Sequence, residues 1–420
     1  MTLRSFVKSA LTLALAALPA LAHAQTAAAT DVADTGDTAF VLGAALIALA
    51  IGVPGVVLAF GGAVRARAAG TIATQLVAIA AAVTLITVLV GYTVAYGAVT
   101  NGWLGSGNAW MLIDLANVRG DAAVPEIALV LVQLACAVLA ALILSGGWAE
   151  RGATAWAVPM AALWALLVQA PLTHWLAGGG WLQTRLGAID SGGALTIHGC
   201  AGVSALVLTL LIGPRAPGQG QPQAPGPALA GGWMMLCALL ALTAAGTLGA
   251  GDDAGSALVN GFAASAAGAL VWAMIDAIGA GRIAPLSLMR GALAGLIAAS
   301  AALAWYAPGG AIVAGVSGAL VSRVIARWLH RAAIDDALGV IAVHGGAGLA
   351  GAMLAAPLIA GTLGGSGYAA GMGPVRQVVA QAVACAVVLV FCAIGSAIAA
   401  LMVAMVVPMR VPEAEEVGAD

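Results

Sequence analysis

Long apolar runs separated by short polar breaks make up nearly the whole chain. The runs fall at about 39–61, 71–98, 125–146, 153–175, 193–213, 228–250, 257–279, 287–306, 309–329, 339–361 and 375–408. Each is close to or above the roughly 20 apolar residues that a membrane-crossing helix requires. The pattern predicts an all-α polytopic membrane protein with eleven transmembrane helices, the last long enough to project beyond the bilayer. Ala and Gly recur through nearly every run, and small residues let helix backbones approach where lipid gives no hydrophobic drive to associate. A tightly packed bundle around a narrow path is expected.

One break differs from the rest. Residues 214–227 run from Pro214-Arg215-Ala216-Pro217-Gly218 to Pro225-Gly226-Pro227, a Pro/Gly/Gln-rich composition that reads as a linker. A pattern repeats on its two sides. Asp190 stands eight residues before His198-Gly199-Cys200-Ala201-Gly202, and Asp336 eight before His344-Gly345-Gly346-Ala347-Gly348. These motifs lie on spans five and ten, and five spans per half make those two helices run in opposite directions. The expected architecture is two inverted five-helix repeats plus a final long helix, with a binding site at the repeat interface near mid-membrane. The domains are then a first half at 39–213, a linker at 214–227 and a second half at 228–361. An outer loop and long span follow at 362–408, and a short cytoplasmic tail at 409–420.

Residues 1–24 carry Arg4 and Lys8, an apolar stretch from Ala10 to Leu21, and Ala22-His23-Ala24 before Gln25, the form of a cleaved secretory signal. The alternative is an uncleaved extra helix, for which the stretch is short. His23 leaves with the signal, and residues 25–38 become a periplasmic arm. With that end outside, Arg65, Arg67, Arg151, Arg215, Arg282, Arg290, Arg323, Arg327, Arg331 and Arg410 fall on inner loops and tail, against Arg119, Arg185 and Arg376 outside. That asymmetry follows the positive-inside rule and puts the C-terminus in the cytoplasm of a cell inner membrane.

Composition agrees, with 62% hydrophobic and 8% charged residues. A net charge of -2 without a basic stripe excludes a nucleic-acid footprint. Cys136, Cys200, Cys237, Cys385 and Cys392 sit inside apolar runs without metal-ligand spacing and read as small core residues. No metal or cofactor is implied. The chain has no His-Glu-x-x-His pair and no nucleophile matched to a base, so it does not read as an enzyme.

The candidate chemistry rests on His198 and His344. An ionisable side chain within a span is costly and marks a functional site by default. Imidazole titrates near neutrality and offers both a donor and an acceptor, so a pair sharing one proton can line a dry lumen and relay protons. The alternative is two separate core histidines, each bonded to a backbone carbonyl. Asp190 can cap span five, stabilise a cation in an outer vestibule, or do both. Asp336 reads as an inner cap or loop anchor paired with Arg323 or Arg327. His174-Trp175 reads as an interfacial anchor, His330 as solvated, and Asp252, Asp253 and Asp276 as surface or helix-end charges.

From residue 38 to the end, these features resemble the ammonium transporters of the Amt/Rh type. The resemblance is carried by Pro54-Gly55 leading to Gly61-Gly62-Ala63-Val64-Arg65, Gln133, Ala149-Glu150-Arg151, Pro171-Leu172-Thr173-His174 and Gly178-Gly179-Gly180. Leu186-Gly187-Ala188-Ile189-Asp190 with His198, Asp335-Asp336 with Val343-His344-Gly345, and Met409-Arg410-Val411-Pro412-Glu413 complete it. It implies an eleven-helix protomer in a homotrimer embedded in the lipid bilayer, each protomer with its own pore. By this resemblance His198 and His344 are the twin pore histidines, Asp190 supports cation recruitment, and Asp336, Gln133 and Arg65 are structural anchors.

The chain departs from the family at the entrance. Where the family has two gating phenylalanines this sequence has Val132 and Cys136, and where it has the tryptophan of the cation site this one has Ala177. A further phenylalanine and serine align with Thr243 and Thr247. Loss of those aromatic faces removes cation–π contacts worth roughly 0.5–2 kcal/mol each, unless Trp175 or Trp181 supplies a displaced face. The tail is shorter than the family's usual one, which argues against a regulatory partner docking there. The expected function is passage of ammonium as ammonia plus a separately relayed proton. The alternatives are a channel for a larger amine or a neutral gas, and a sensor that binds without conducting.

Overall fold

Eleven apolar helices follow one another in the computed structural model, which describes residues 34–100, 102–106, 110–113, 115, 123–216, 224–412 and 416. The expected signal at 1–24, most of the arm at 25–38, the middle of the linker and most of the tail lie outside the described residues. The helices are α1 Thr35–Ala63, α2 Ala66–Tyr96, α3 Glu126–Trp148, α4 Thr154–Thr184, α5 Ala194–Ile212 and α6 Pro225–Ala245. They continue as α7 Asp252–Ala280, α8 Pro285–Ala299, α9 Pro308–Arg331, α10 Ile341–Leu358 and α11 Pro374–Ala404. Ten are long and apolar enough to cross a membrane, and α8, at 15 residues, is shorter. A small antiparallel hairpin, β1 Ala98–Thr100 with β2 Leu104–Ser106, follows α2 in the register Val99 to Gly105.

Local chemistry sets the helix ends. Proline opens α6, α8, α9 and α11, where its missing N–H costs nothing and its fixed φ suits a first turn. Asp34 caps α1 by accepting from Asp37 N–H at 2.9 Å. Gly281, at φ 66°, closes α7 in the left-handed conformation that glycine adopts without strain.

The bundle packs by backbone approach. A Cβ on Gly231 of α6 would lie 2.2 Å from Ala59 N on α1, and one on Gly268 of α7 would lie 2.2 Å from Gly291 O on α8. The first helices of the two halves thus meet without side chains between them, as small-residue packing allows.

One end of the bundle is tied by charge. Glu150 bonds Arg65 Nε at 2.6 Å and Arg215 Nη1 at 2.7 Å. Asp335 accepts from Arg215 Nε at 2.9 Å and Arg151 Nη1 at 3.3 Å. Glu416 bonds Arg410 Nη2 at 2.6 Å and accepts from Ala216 N–H at 2.5 Å. The α1–α2, α3–α4, α5–α6 and α9–α10 connections and the segment after α11 therefore lie together.

Burial opposes ionisation of Asp335, but its hydrogen bonds from Arg215 and the charges of Arg215 and Arg151 hold its carboxyl below the ordinary value. The stability this adds is complete above the usual carboxylate range, about pH 4, and is lost as pH falls through the depressed native value. Asp335→Asn is therefore expected to lower the thermal transition at pH 7 and to lose that effect progressively on acidification below about pH 4. A deficit as large at pH 3 as at pH 7 would refute the assignment.

Candidate functional site

The two repeated motifs open their helices in the same way. Asp190 Oδ1 accepts from Leu195 N–H at 2.9 Å, and Oδ2 from Thr196 N–H and Oγ1 at 2.8 Å each. Asp336 Oδ1 and Oδ2 accept from Ile341 N–H at 3.2 Å and Ala342 N–H at 3.0 Å. Each acid stands before its helix and bonds first-turn N–H groups five and six residues on, and each helix starts with a widened π turn, Ala194–Gly199 in α5 and Ile341–Gly346 in α10. Such turns are rare and tend to occur at functional sites. Each contains its histidine.

Glycines bring the two turns together. A Cβ on Gly202 would meet Gly345 Cα and N at 2.2 Å, and one on Gly348 would meet Ala194 O at 2.5 Å and Gly199 N at 3.0 Å. The glycine one past each histidine therefore faces the glycine four past the other, the reciprocity that a two-fold relation between the segments produces. At this crossing His198 Nδ1 and His344 Nδ1 are 3.1 Å apart, with ring centroids 5.1 Å apart. Both residues are buried, 2% and 3% exposed. A bond between two Nδ1 atoms needs one donor and one acceptor, so the neutral rings hold opposite tautomers. Neither Nε2 has a hydrogen-bond partner among the described residues.

A cavity lies on each side of the pair. The larger, about 420 Å³, is lined by Val132, Gln133, Cys136, Ala177 and Asp190, and reaches the His198 turn at Thr196 and Ile197. The smaller, about 60 Å³, is lined by Phe60, Met235, Arg290, Leu338, Val343 and His344. Asp190 both caps α5 and lines the large cavity, so its two sequence readings are compatible. Gln133 donates from Nε2 to Gln169 Oε1 at 3.2 Å, and its own buried Oε1 has no partner. Arg65 ties the charged end through Glu150 and Ala216 O.

Several expectations need correction. Thr243 and Thr247 do not line the large cavity, whose wall there is Leu242, Gly246 and Leu248. The Thr243 hydroxyl turns back to Leu239 O, as a hydroxyl in an apolar helix bonds the carbonyl one turn earlier, and the Thr247 hydroxyl, just past the end of α6, is taken up by Ala244 O and Gly249 O. Trp175 and Trp181 do not supply the missing aromatic face. They pack with Trp103 and, for Trp175, with Phe391 at 4.6 Å. The aromatics lining the cavity are Tyr96 and Trp305. The only sequence signal for Trp305 was its break at Ala304-Trp305-Tyr306-Ala307-Pro308, which equally suits an interfacial residue.

Charge pairing also differs. Arg323 bonds Asp276 at 2.7 Å and lies over the Trp272 ring, so it is not the partner of Asp336, and Asp276 is buried rather than at the surface. His174 is fully buried, with Nδ1 3.0 Å from Ala95 O, so it is not an interfacial anchor. Arg290, counted among the loop charges, lies within α8.

This arrangement defines a polytopic helical membrane protein in which a buried histidine pair separates two cavities. The family model described as the Ammonium Transporter Family matches residues 38–420, and the chain belongs to that family. It is 31% identical to an ammonium transporter of Aquifex aeolicus over 79% of each chain. Its fold is similar to a solved structure described as a sensor Amt protein (TM-score 0.84, 22% identity, 91% of this chain and 96% of that one). It is also similar to Mep2 of Saccharomyces cerevisiae (TM-score 0.80, 21% identity, 90% and 88%).

Proposed function

We propose that the chain transports ammonium: its proton comes off at the Asp190 cavity and is relayed separately through the His198–His344 pair, and ammonia crosses the same pair as the neutral species. The observation that carries this reading is the 3.1 Å Nδ1–Nδ1 contact between two buried imidazoles. Moving a bare cation into an apolar interior costs many kcal/mol, so a dry path favours the species that can shed its charge. Ammonium can, and sodium and potassium cannot.

Membership of the family supports ammonium as the substrate and a homotrimer as the assembly. The arginine distribution supports an inner-membrane protein with its C-terminus in the cytoplasm. Grouping of the α5–α6 and α9–α10 connections at one end supports eleven crossings: four helices lie between them, and an even number of passes requires the short α8 to cross.

In proteoliposomes, ammonium-evoked flux is expected from the wild type and roughly a hundredfold less from His198→Ala or His344→Ala, since positioned proton-transfer groups are typically worth 10²–10⁴ in rate. Undiminished flux from both folded variants would remove the histidines from the mechanism. A larger amine is a second reading, favoured by the 420 Å³ cavity, far above the ~30 Å³ of a water-sized solute. Competition by methyl- and ethylammonium separates the two.

A further inference from the structure

Trp305 closes a short 3-10 turn, Leu303–Trp305, between α8 and α9, and lines the large cavity together with Asp190. Two sets of hydrogen bonds fix that turn. Asn260 Nδ2, on α7, donates to Leu303 O and Tyr306 O at 2.8 Å each, on either side of Trp305. Ser191 N–H donates to Ala301 O at 2.9 Å and Gly192 N–H to Ser300 O at 2.8 Å, so the residues before the turn are tied to those just after Asp190. An aromatic side chain and a carboxylate are thus held on the wall of one cavity by a backbone-bonded frame.

The neighbouring rings are occupied, and this one is not. Trp175 and Trp181 pack with each other and with Trp103, and Tyr96 stacks on Tyr92 at 5.5 Å. Trp305 is half-buried and among the described residues has no ring partner and no hydrogen bond from its indole. The carboxylate, by contrast, is largely used. Asp190 accepts from Leu195 N–H and from Thr196 N–H and Oγ1, and a carboxylate has only about four acceptor sites. To a cation it offers more field than free acceptor. Leu129, Val132, Leu176 and Ala177 supply an apolar wall, and at about 420 Å³ the space falls in the range of roughly 300–1,000 Å³ of small-molecule sites.

A cation with a carbon body and no N–H donors matches that combination, because an aromatic face attracts its charge without a hydrogen bond and its methyl groups suit an apolar wall. We propose that this cavity binds a small quaternary ammonium ion with Trp305 as its cation–π face, and that the bound ion blocks ammonium. The block rests on the ammonium reading above. A quaternary nitrogen has no proton to give up, so the ion is held beside Asp190 and goes no further. Ammonium and the quaternary ion then compete for one cavity.

The test uses the full-length protein and tetramethylammonium. Calorimetric titration of the purified protein should show saturable binding, and in proteoliposomes the ion should raise the KM for ammonium with kcat unchanged. Trp305→Leu should weaken binding about fivefold, the equivalent of about 1 kcal/mol of cation–π attraction, and Trp305→Phe, which keeps a ring, should recover part of it. No saturable binding by a wild type that transports ammonium would overturn the site and leave transport standing, and this decides the matter even if the Trp305 variants fail to fold. A folded Trp305→Leu protein binding as tightly as the wild type would overturn the role of Trp305. Inhibition that lowers kcat with KM unchanged would overturn the placement in the cavity, and vesicle uptake of labelled tetramethylammonium would overturn the block. Vesicles without any ammonium flux would overturn the transport reading and the block together, and the calorimetry would still decide the binding site.

Discussion

Gly202→Ala is expected to destabilise the protein by about 3 kcal/mol, the upper end of the cost of overpacking a filled core. The added methyl would lie 2.2 Å from Gly345 Cα and N, where carbon contacts are comfortable only near 3.5–4.0 Å. The obstacle is backbone, so no rotamer change relieves it, and α5 and α10 must separate. Separation also lengthens the histidine contact, so flux should fall with stability. Gly348→Ala, facing Ala194 O and Gly199 N, should behave alike. Gly43→Ala is the control: nothing lies within 4 Å of its Cβ position, and alanine favours a helix over glycine by about 1 kcal/mol. Thermal or SDS unfolding of the purified protein measures all three. A Gly202→Ala protein as stable as the wild type would show that the crossing is looser than described.

Glu150→Gln is expected to cost about 3 kcal/mol. Removing one partner of a buried ion pair typically costs about 3–5 kcal/mol, because the other charge is left buried without compensation. The Glu150 side chain is 2% exposed and serves both Arg65 and Arg215, but Arg215 is 27% exposed, which argues for the lower end. Glutamine keeps the side chain's length, and the left-handed backbone at Glu150 (φ 68°) is non-glycine in both proteins, so the difference reports the charge. Adding Arg65→Met should recover part of the loss, a coupling that a double-mutant cycle reads directly. Strictly additive losses would mean the contact contributes nothing.

Much of the fold was legible in the sequence because hydrophobic length is a local property. The apolar run at 193–213 became Ala194–Ile212 and the run at 309–329 became Pro308–Arg331. The repeated Asp-to-His spacing also had a local cause, since both acids cap the turn that holds their own histidine. Side-chain direction was far less legible. Thr243 sits on the helix whose end borders the cavity and Thr247 just past that end, but their hydroxyls point to carbonyls of their own segment. Charge pairing was lost for the same reason: Arg323 and Asp276 are 47 residues apart and meet only when α7 and α9 pack.

By itself, then, the sequence determined a many-helix membrane protein of two similar halves, the two histidines worth watching, and the absence of the usual entrance aromatics. Those follow from run length, residue type and spacing. Only the tertiary structure decided that the histidines touch, that Trp305 and Tyr96 wall the larger cavity, and that Arg290 shares a cavity wall with His344. Each depends on which faces of distant helices are pressed together, and in Ala- and Gly-rich helices no strong apolar stripe along the chain says in advance which face that is.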